Sequence, residues 1–274
     1  MKLIVEKLDA SNEVKWLKEF LHDADNRYLL DTYQFDKLYA KINVYSAESL
    51  LTQSLLKSGI NPLNYLTWIP SNFYAYYNFF QNYWGPVLNV PSNIKYIGYH
   101  AFDGQNIKKV NLSSKITSIR SGAFFSCLNL SEINLVDGLK RIDSHAFYYC
   151  SELTNIEIPQ TTVHIGEGAF QKCSKLNSIK LPDALFEIPK YLFDTCTSLS
   201  DVELPQNLLE IDYYAFRNCS SLKSLTIPST IEYIDPKAFA GCKNLVLKYD
   251  GTAEDWKRLN FNLPKYTKVE FLKQ

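Results

Sequence analysis

Hydrophobic and polar positions repeat along most of this chain. Between about residue 88 and residue 250 the repeat length is 23 residues, with a first unit that is one residue shorter. Three apolar columns define the period, and all six cysteines of the chain fall on one of them. The columns are Cys127, Cys150, Cys173, Cys196, Cys219 and Cys242; Phe102, Phe124, Phe147, Phe170, Phe193, Phe216 and Phe239; and Ile97, Ile119, Ile142, Ile165, Ile188, Ile211 and Ile234. A fixed period of this size indicates a solenoid.

One unit, CSELTNIEIPQTTVHIGEGAF from Cys150 to Phe170, shows what each repeat predicts. Ile156 and Ile158 alternate with a polar residue, which is the pattern of a strand with one buried face. Pro159 then ends the strand, because proline has no N–H to donate to a ladder. A single unit cannot bury its apolar face alone, so stability must come from stacking on its neighbours.

The pattern L-x-x-I-x-I-P…I-x-x-x-AF-x-x-C resembles the BspA-type leucine-rich repeat family over residues 88–250. The resemblance implies an α/β solenoid, a right-handed leucine-rich repeat with a concave parallel β-sheet. Some positions depart from the pattern without breaking the period. Gln105 stands near the first cysteine position, Ser113 and Val136 replace the proline after the strand, and Leu192 replaces an alanine with Pro189 just upstream.

The two ends of the chain lack the repeat. Residues 1–60 are predicted to be a helical N-terminal cap or a small domain. Residues 61–87 are predicted to be a degenerate, aromatic-rich repeat, and residues 88–250 the leucine-rich repeats. Residues 251–274 are predicted to complete a short β-α-β C-terminal cap, because Thr252 can cap a helix and its G-T-x-E-x-W segment resembles the cap of the family.

Polar residues that alternate with buried ones on the predicted strands form the first candidate binding surface. They stack as neighbours in a parallel sheet. We expect partner-binding residues at Lys109, Glu132, Asn134, Asn155, Glu157, Lys180, Asp201, Glu203 and Thr226. The alternative is a solvated face in which Glu157, Lys180 and Glu203 satisfy one another as a charge ladder.

Aromatic residues supply two further candidates. The first is the patch Tyr76, Tyr77, Tyr83 and Trp84, which is either a docking surface or part of the core beneath the N-terminal cap. The second is a set on the side opposite the strands, of which an exposed part would bind. That set is Tyr99, Phe125, Tyr148, Tyr149, Tyr191, Tyr213 and Tyr214.

The cysteines and histidines are interpreted as structural. Equal spacing puts every cysteine in the same slot of successive repeats, where a reduced, buried thiol acts as a small hydrophobe. Disulfides within the column and a metal site are the alternatives. His100 and His145 occupy equivalent repeat positions and are expected near each other on the surface.

Composition limits the function. The 274 residues carry zero formal net charge and are 46% hydrophobic, which disfavours nucleic-acid binding. The sequence has no apolar run long enough for a membrane span and no signal peptide at its start. It therefore predicts a cytoplasmic protein, or a mature chain whose signal is missing.

No catalytic motif, cofactor motif or metal-ligand pattern was recognised, so the predicted function is a non-enzymatic scaffold that binds a protein partner. One version is a phage- or parasite-encoded binder or inhibitor of a host protein. The alternatives are a cell-surface adhesin, and an enzyme with activity in its N-terminal region and repeats as a targeting arm. The oligomeric state is open.

Overall fold

Two series of parallel strands alternate along the chain. The computed structural model describes residues 68–69, 86–263 and 267–273, which belong to one compact unit, Thr67–Gln274. The long strands are β2 (Val87–Asn89), β4 (Lys109–Asn111), β6 (Glu132–Asn134), β8 (Asn155–Glu157), β10 (Ser178–Lys180), β12 (Asp201–Glu203), β14 (Ser224–Ile227), β16 (Val246–Tyr249) and β17 (Lys268–Phe271). The short strands are β1 (Trp68–Ile69), β3 (Tyr96–Ile97), β5 (Ser118–Ile119), β7 (Arg141–Ile142), β9 (His164–Ile165), β11 (Glu187–Ile188), β13 (Glu210–Ile211) and β15 (Tyr233–Ile234).

Each strand pairs in parallel with the equivalent strand of a neighbouring repeat. The long strands form the sheets β2-β4-β6, β8-β10-β12 and β14-β16-β17, and the short strands form β1-β3-β5-β7-β9 and β11-β13-β15. In the three-residue strands the middle residue is buried, as at Ile133 and Ile156, while its neighbours face outward. The predicted parallel β-solenoid is therefore confirmed. Turns, with almost no helix, connect the strands.

The first two predicted divisions of the chain, residues 1–60 and 61–87, lie almost entirely outside the described residues. Residues 1–60, predicted as a helical cap or small domain, are not among them. Within residues 61–87, β1 pairs with β3 so that Ile69 lies opposite Ile97. This places β1 one repeat before β3, but the division into 1–60, 61–87, 88–250 and 251–274 stays a prediction.

The phenylalanine column forms the centre of the core. All seven side chains of this column are fully buried. The rings of successive repeats lie with centroids 5.3–6.1 Å apart, mostly in stacked orientation. Aromatic pairs at this separation add stability beyond the area that they bury. Each ring within the column therefore packs against the rings of both neighbouring repeats.

The backbone of each phenylalanine also joins neighbouring repeats. Its N–H donates to the carbonyl of the following repeat at 2.8–3.2 Å, for example from Phe147 to Ala169. Its carbonyl accepts two hydrogen bonds. One comes from the cysteine N–H three residues later, and the other comes from the cysteine thiol of the following repeat, with Sγ···O distances of 3.0–3.2 Å.

The six cysteines are free and buried, as their spacing indicated, but they are more than small hydrophobes. Each thiol donates a second hydrogen bond to a carbonyl that the core removes from water, which a valine or alanine in the same position could not do. In the first repeat Gln105 takes the cysteine position and donates instead to the carbonyl of Asp103 at 3.1 Å.

Pro189 explains a break in the short-strand series. In most repeats the residue after the isoleucine donates its N–H to the preceding isoleucine carbonyl, as Gly166 does to Ile142 at 2.8 Å and Asp212 does to Ile188 at 3.0 Å. Proline has no N–H, so Pro189 cannot donate to Ile165. The five-stranded sheet ends at β9 and a new sheet begins at β11.

The C-terminal cap follows the predicted β-α-β order. Helix α1 spans Ala253–Leu259, and the hydroxyl of Thr252 accepts a hydrogen bond from the N–H of Asp255 at 3.2 Å. Trp256 packs on Tyr249 and Phe261, with ring centroids 4.9 and 5.0 Å apart. Strand β17 then pairs with β16, so the cap covers the last repeat with aromatic side chains.

The buried thiols should be nearly unreactive in the folded protein. Burial raises the pKa of Cys173 from 9.0 to about 12, which lowers its thiolate fraction at pH 8 by roughly three orders of magnitude. We expect slow labelling by a thiol reagent until the protein unfolds. Cys242 should react first, because it is the least buried of the six cysteines. Rapid labelling of all six native thiols would contradict this arrangement.

The raised pKa values of the other five thiols predict how stability depends on pH. A thiol whose pKa is higher in the folded state than in the unfolded state holds its proton longer when folded. Its stabilising contribution is complete below about pH 9 and is lost as the pH rises through the folded pKa. Urea unfolding between pH 7 and pH 10.5 should therefore show a midpoint that begins to fall above pH 9.

Two phenylalanines in adjacent repeats provide a matched test of the core. Phe170 is fully buried, whereas Phe186 is 57% exposed. Phe170→Ala should lower the free energy of unfolding by about 3–5 kcal/mol, because it opens a cavity in the aromatic column. Phe186→Ala should change it by no more than about 0.5 kcal/mol. Similar midpoints for both variants in urea would show that the column is not the core.

Candidate binding surface on the long strands

The nine strand residues predicted to bind a partner lie together on one surface. They occupy the first and third positions of β4 to β14, which point away from the core, and all except the half-buried Lys109 are exposed. We call this surface the long-strand face. The other predicted patch, Tyr76, Tyr77, Tyr83 and Trp84, lies outside the described residues.

Strand register sets which side chains of the long-strand face are neighbours. Lys109 lies opposite Glu132, and Lys180 lies between Glu157 and Glu203 on the adjacent strands. The predicted order of alternating charges is therefore present. Lys180 bonds only one of its neighbours, however, with 2.8 Å between its Nζ and Oε2 of Glu203.

The ion pairs of this face are open to water. Lys109 and Glu132 are 2.7 Å apart, and their side chains are 40% and 60% exposed. The hydrogen bond from Lys109 lowers the pKa of Glu132, and the hydrogen bond to Glu203 raises the pKa of Lys180. Because such exposed pairs contribute little to stability, a partner can replace either member at small cost. Glu157 forms no ion pair with any described residue and is directly available.

Amide and hydroxyl groups complete the surface. The side chain of Asn111 donates to Asn89 at 2.7 Å, and Ser178 donates to Asn155 at 3.4 Å. These cross-strand hydrogen bonds orient polar groups one repeat apart. The face thus offers donors, acceptors and both signs of charge on a fixed backbone, which suits recognition of a protein surface and shows no feature of a catalytic centre.

The predicted aromatic set on the turn side is largely occupied by cations. The ammonium group of Lys172 lies 5.0 Å from the ring centroid of Tyr148, and the guanidinium group of Arg217 lies 4.3 Å from that of Tyr214. Cation–π contacts stabilise both partners. Only Tyr99 and Tyr149 of this set are exposed, at 40% and 44%, and the other five side chains are half-buried. The set therefore stabilises packing between repeats more than it forms an open surface.

A buried carboxylate holds three repeats together on this side. Asp194 is fully buried and accepts hydrogen bonds from Gln171 at 2.8 Å and from Arg217 at 2.7 and 2.5 Å. These residues are each 23 positions apart, so one carboxylate links the preceding and following repeats. The hydrogen bonds to Asp194 raise the pKa of Arg217. Breaking such a buried pair is costly, which makes it a structural element.

The two equivalent histidines are not neighbours, contrary to expectation. They are two repeats apart, and Gly122 of the intervening repeat lies beneath the ring of His100. A Cβ at Gly122 would clash with that ring, and Gly168 stands in the same relation to His145. Both histidines have positive φ, 48° and 56°. Each histidine therefore packs over a glycine of the next repeat and does not form a pair.

Among residues 86–263 and 267–273, no group of three His, Cys, Asp or Glu side chains is arranged to hold a metal ion. No helix in that part is both long and apolar enough to cross a membrane.

Sequence reasoning missed the second series of strands and a surface beside it. Val163, Phe186 and Leu209 precede the isoleucine column by two positions and are exposed. Other repeats have polar residues there, namely Lys95, Thr117, Lys140 and Glu232. The contrast between apolar and polar residues within this one column is the feature of the sequence from which the surface could have been predicted.

Known structures provide two comparisons. A leucine rich cell surface protein from Faecalibacterium prausnitzii is 26% identical, with a TM-score of 0.50, over 62% of this chain and 55% of that protein. The leucine rich repeat protein of T. pallidum is 26% identical, with a TM-score of 0.51, over 57% of this chain and 72% of that protein. The chain thus spans only about half the length of the first. No curated protein matches.

The predicted cytoplasmic location finds no support in these comparisons.

The family model described as the BspA type leucine rich repeat region matches six copies, over residues 69–173 and 117–246. These two matches together cover more than half of the 274 residues. The chain therefore belongs to the BspA-type leucine-rich repeat family.

Proposed function

We propose that this protein is a non-enzymatic scaffold whose long-strand face binds a protein partner. The observation that carries the proposal is the stacking of exposed polar side chains in register on strands whose middle residues are buried. Leucine-rich repeat solenoids offer extended surfaces of this kind. A surface held rigid by its own core loses little conformational entropy on binding.

The chemistry of the face indicates the kind of partner. Glu157 and the exposed ion pairs favour a protein surface with both basic and acidic side chains, since a partner lysine or arginine can bond Glu157 while another group displaces Lys180 from Glu203. The asparagines of the first strands add hydrogen-bonding groups. The partner we expect is therefore a folded or extended protein with a polar, mixed-charge contact surface.

A cell-surface adhesin is the second candidate function. The observation that favours it is the similarity to the cell surface protein of F. prausnitzii, with which this chain shares the repeat and part of its length. Both candidates use the same face, and they differ in where the partner is found. An inhibitor of a host protein would find it inside a cell, and an adhesin outside. The third alternative, an enzyme with activity in the N-terminal region (residues 1–86), concerns a part of the chain of which only residues 68–69 and 86 are described.

Exchanging one ion pair tests the long-strand face. The variant Lys180→Glu/Glu203→Lys keeps the net charge and the pair itself, but reverses the field presented to a partner. We expect it to lose most of its binding to proteins captured by the wild type. Capture should be measured in parallel from a cell lysate and from a cell-surface and extracellular-matrix fraction, with each captured protein then purified for titration.

The chain contains a matched control for this exchange. Glu152 and Lys175 also form an exposed pair at 2.7 Å, 23 residues apart, but outside the long-strand face. The variant Glu152→Lys/Lys175→Glu should bind as the wild type does. Equal binding by the wild type and both variants would place the contact elsewhere, and the fraction that yields the partner separates the intracellular binder from the adhesin.

A further inference from the structure

A line of apolar side chains interrupts an otherwise polar column. Val163, Phe186 and Leu209 occupy equivalent positions just before β9, β11 and β13 and are 57%, 57% and 38% exposed. We call these three residues the apolar stripe. Elsewhere in the column the side chains are polar, so the stripe is confined to three consecutive repeats. Contiguous exposed apolar groups with a polar rim are typical of interaction sites.

Backbone hydrogen bonds that join neighbouring repeats are missing between the first two residues of this stripe, Val163 and Phe186. In the following repeat, the N–H groups of Leu209 and Glu210 donate to the carbonyl of Phe186 at 2.8 and 3.1 Å. Within the described residues, the N–H groups of Phe186 and Glu187 make no such bond to Val163. Together with Pro189, which cannot donate, this removes three links between consecutive repeats.

A cleft of about 410 Å³ lies at this opening. Its lining includes Val163, Ile165, Leu185, Phe186, Leu209 and Glu210. The carbonyls of Val163 and Ile165, and the N–H groups of Phe186 and Glu187, have no backbone partner among the described residues. The cleft thus combines apolar side chains with backbone groups that an extended peptide can use.

Negative charge adjoins the cleft. Glu187 and Glu210 lie opposite each other in register on β11 and β13, an arrangement of like charges that destabilises a strand pair. Burial and the nearby carboxylates of Asp212 and Glu187 raise the pKa of Glu210, while Lys190 opposes this effect. A cation placed between the two glutamates would relieve their repulsion.

We propose that this cleft is a second docking site, separate from the long-strand face, for an extended segment of a protein partner that carries an apolar side chain beside a lysine or arginine. The apolar side chain enters the cleft against the stripe. The cation lies between Glu187 and Glu210, and the segment's backbone bonds the freed carbonyl and N–H groups. The site depends on no property of the long-strand face, so either proposal can fail without the other.

The size of the site favours a short segment over a second copy of this chain. A stable protein–protein interface buries about 800 Å² on each partner, far more than three side chains in one column can provide. A short peptide needs only one apolar anchor and one charge. Its affinity should be modest, because the buried area is small and the peptide must be ordered on binding.

Peptide selection tests the proposal without a known partner. A library of random heptapeptides displayed on phage would be selected on the intact wild-type protein and screened against two variants. We expect enriched peptides to contain an apolar residue next to lysine or arginine. They should bind Phe186→Ser at least tenfold more weakly, and Glu187→Lys/Glu210→Lys should instead select an apolar residue next to aspartate or glutamate.

Matched variants separate the site from general effects. Leu128→Ser also removes an exposed apolar side chain, 45% exposed, and Glu152→Lys/Glu254→Lys makes the same change in charge at residues that do not line the cleft. Both should bind the selected peptides as the wild type does. Unchanged urea midpoints in Phe186→Ser and in Glu187→Lys/Glu210→Lys would show that the loss of binding is local.

Three results would overturn the proposal. The first is a selection without enrichment of basic residues, and the second is a set of peptides that bind Phe186→Ser as tightly as the wild type. The third comes from light scattering. A wild-type dimer that becomes a monomer in Phe186→Ser would assign the stripe to a second copy of this chain.

Discussion

Every repeat of this solenoid is joined to the next at the carbonyl of a buried phenylalanine. That oxygen accepts one hydrogen bond from its own repeat and one from the thiol of the next, so both of its lone pairs are used where water cannot reach. Without the thiol this carbonyl would keep the hydrogen bond from its own repeat but lose the one that links it to the next repeat. The cysteine column therefore adds a link between repeats to the contacts of the phenylalanine column, and both columns share the 23-residue period.

This constraint fixes which positions are free to carry function. A side chain in the phenylalanine, cysteine or isoleucine column must satisfy two neighbouring repeats, so it cannot vary without disturbing both. The first and third positions of β4 to β14 point away from the core and carry Asn, Glu, Lys, Asp, Ser and Thr in different repeats. The column of Phe186 is similarly free, and there the sequence changes from polar to apolar and back. Positions that vary between the repeats of this chain are therefore free to bind a partner, whereas the constant positions maintain the fold.

The sequence was sufficient for the period, the long strands and the capping role of Thr252, because these depend on local alternation and on stacking of equivalent positions. It did not reveal the short-strand series. A two-residue strand such as Ile165 with its neighbour has no alternation to detect, and its existence depends on a hydrogen bond from the next repeat. For the same reason the consequence of Pro189 was missed, since one must know that this position donates to Ile165. The nine residues of the long-strand face were found because outward-facing strand positions follow directly from alternation.

The long-strand face and the cleft have three repeats in common, those that contain β8, β10 and β12. Glu157, Lys180 and Glu203 each precede a residue of the apolar stripe by six positions, with a proline turn between them. Two weak contacts presented by one rigid block act together, because binding at one raises the effective concentration of a linked segment at the other. A partner with a mixed-charge surface and an adjoining apolar–basic segment would therefore gain affinity from the stacked core, which fixes the distance between the two sites. The break at Pro189 removes hydrogen bonds between the first and second of these repeats, while the phenylalanine column continues through it unbroken.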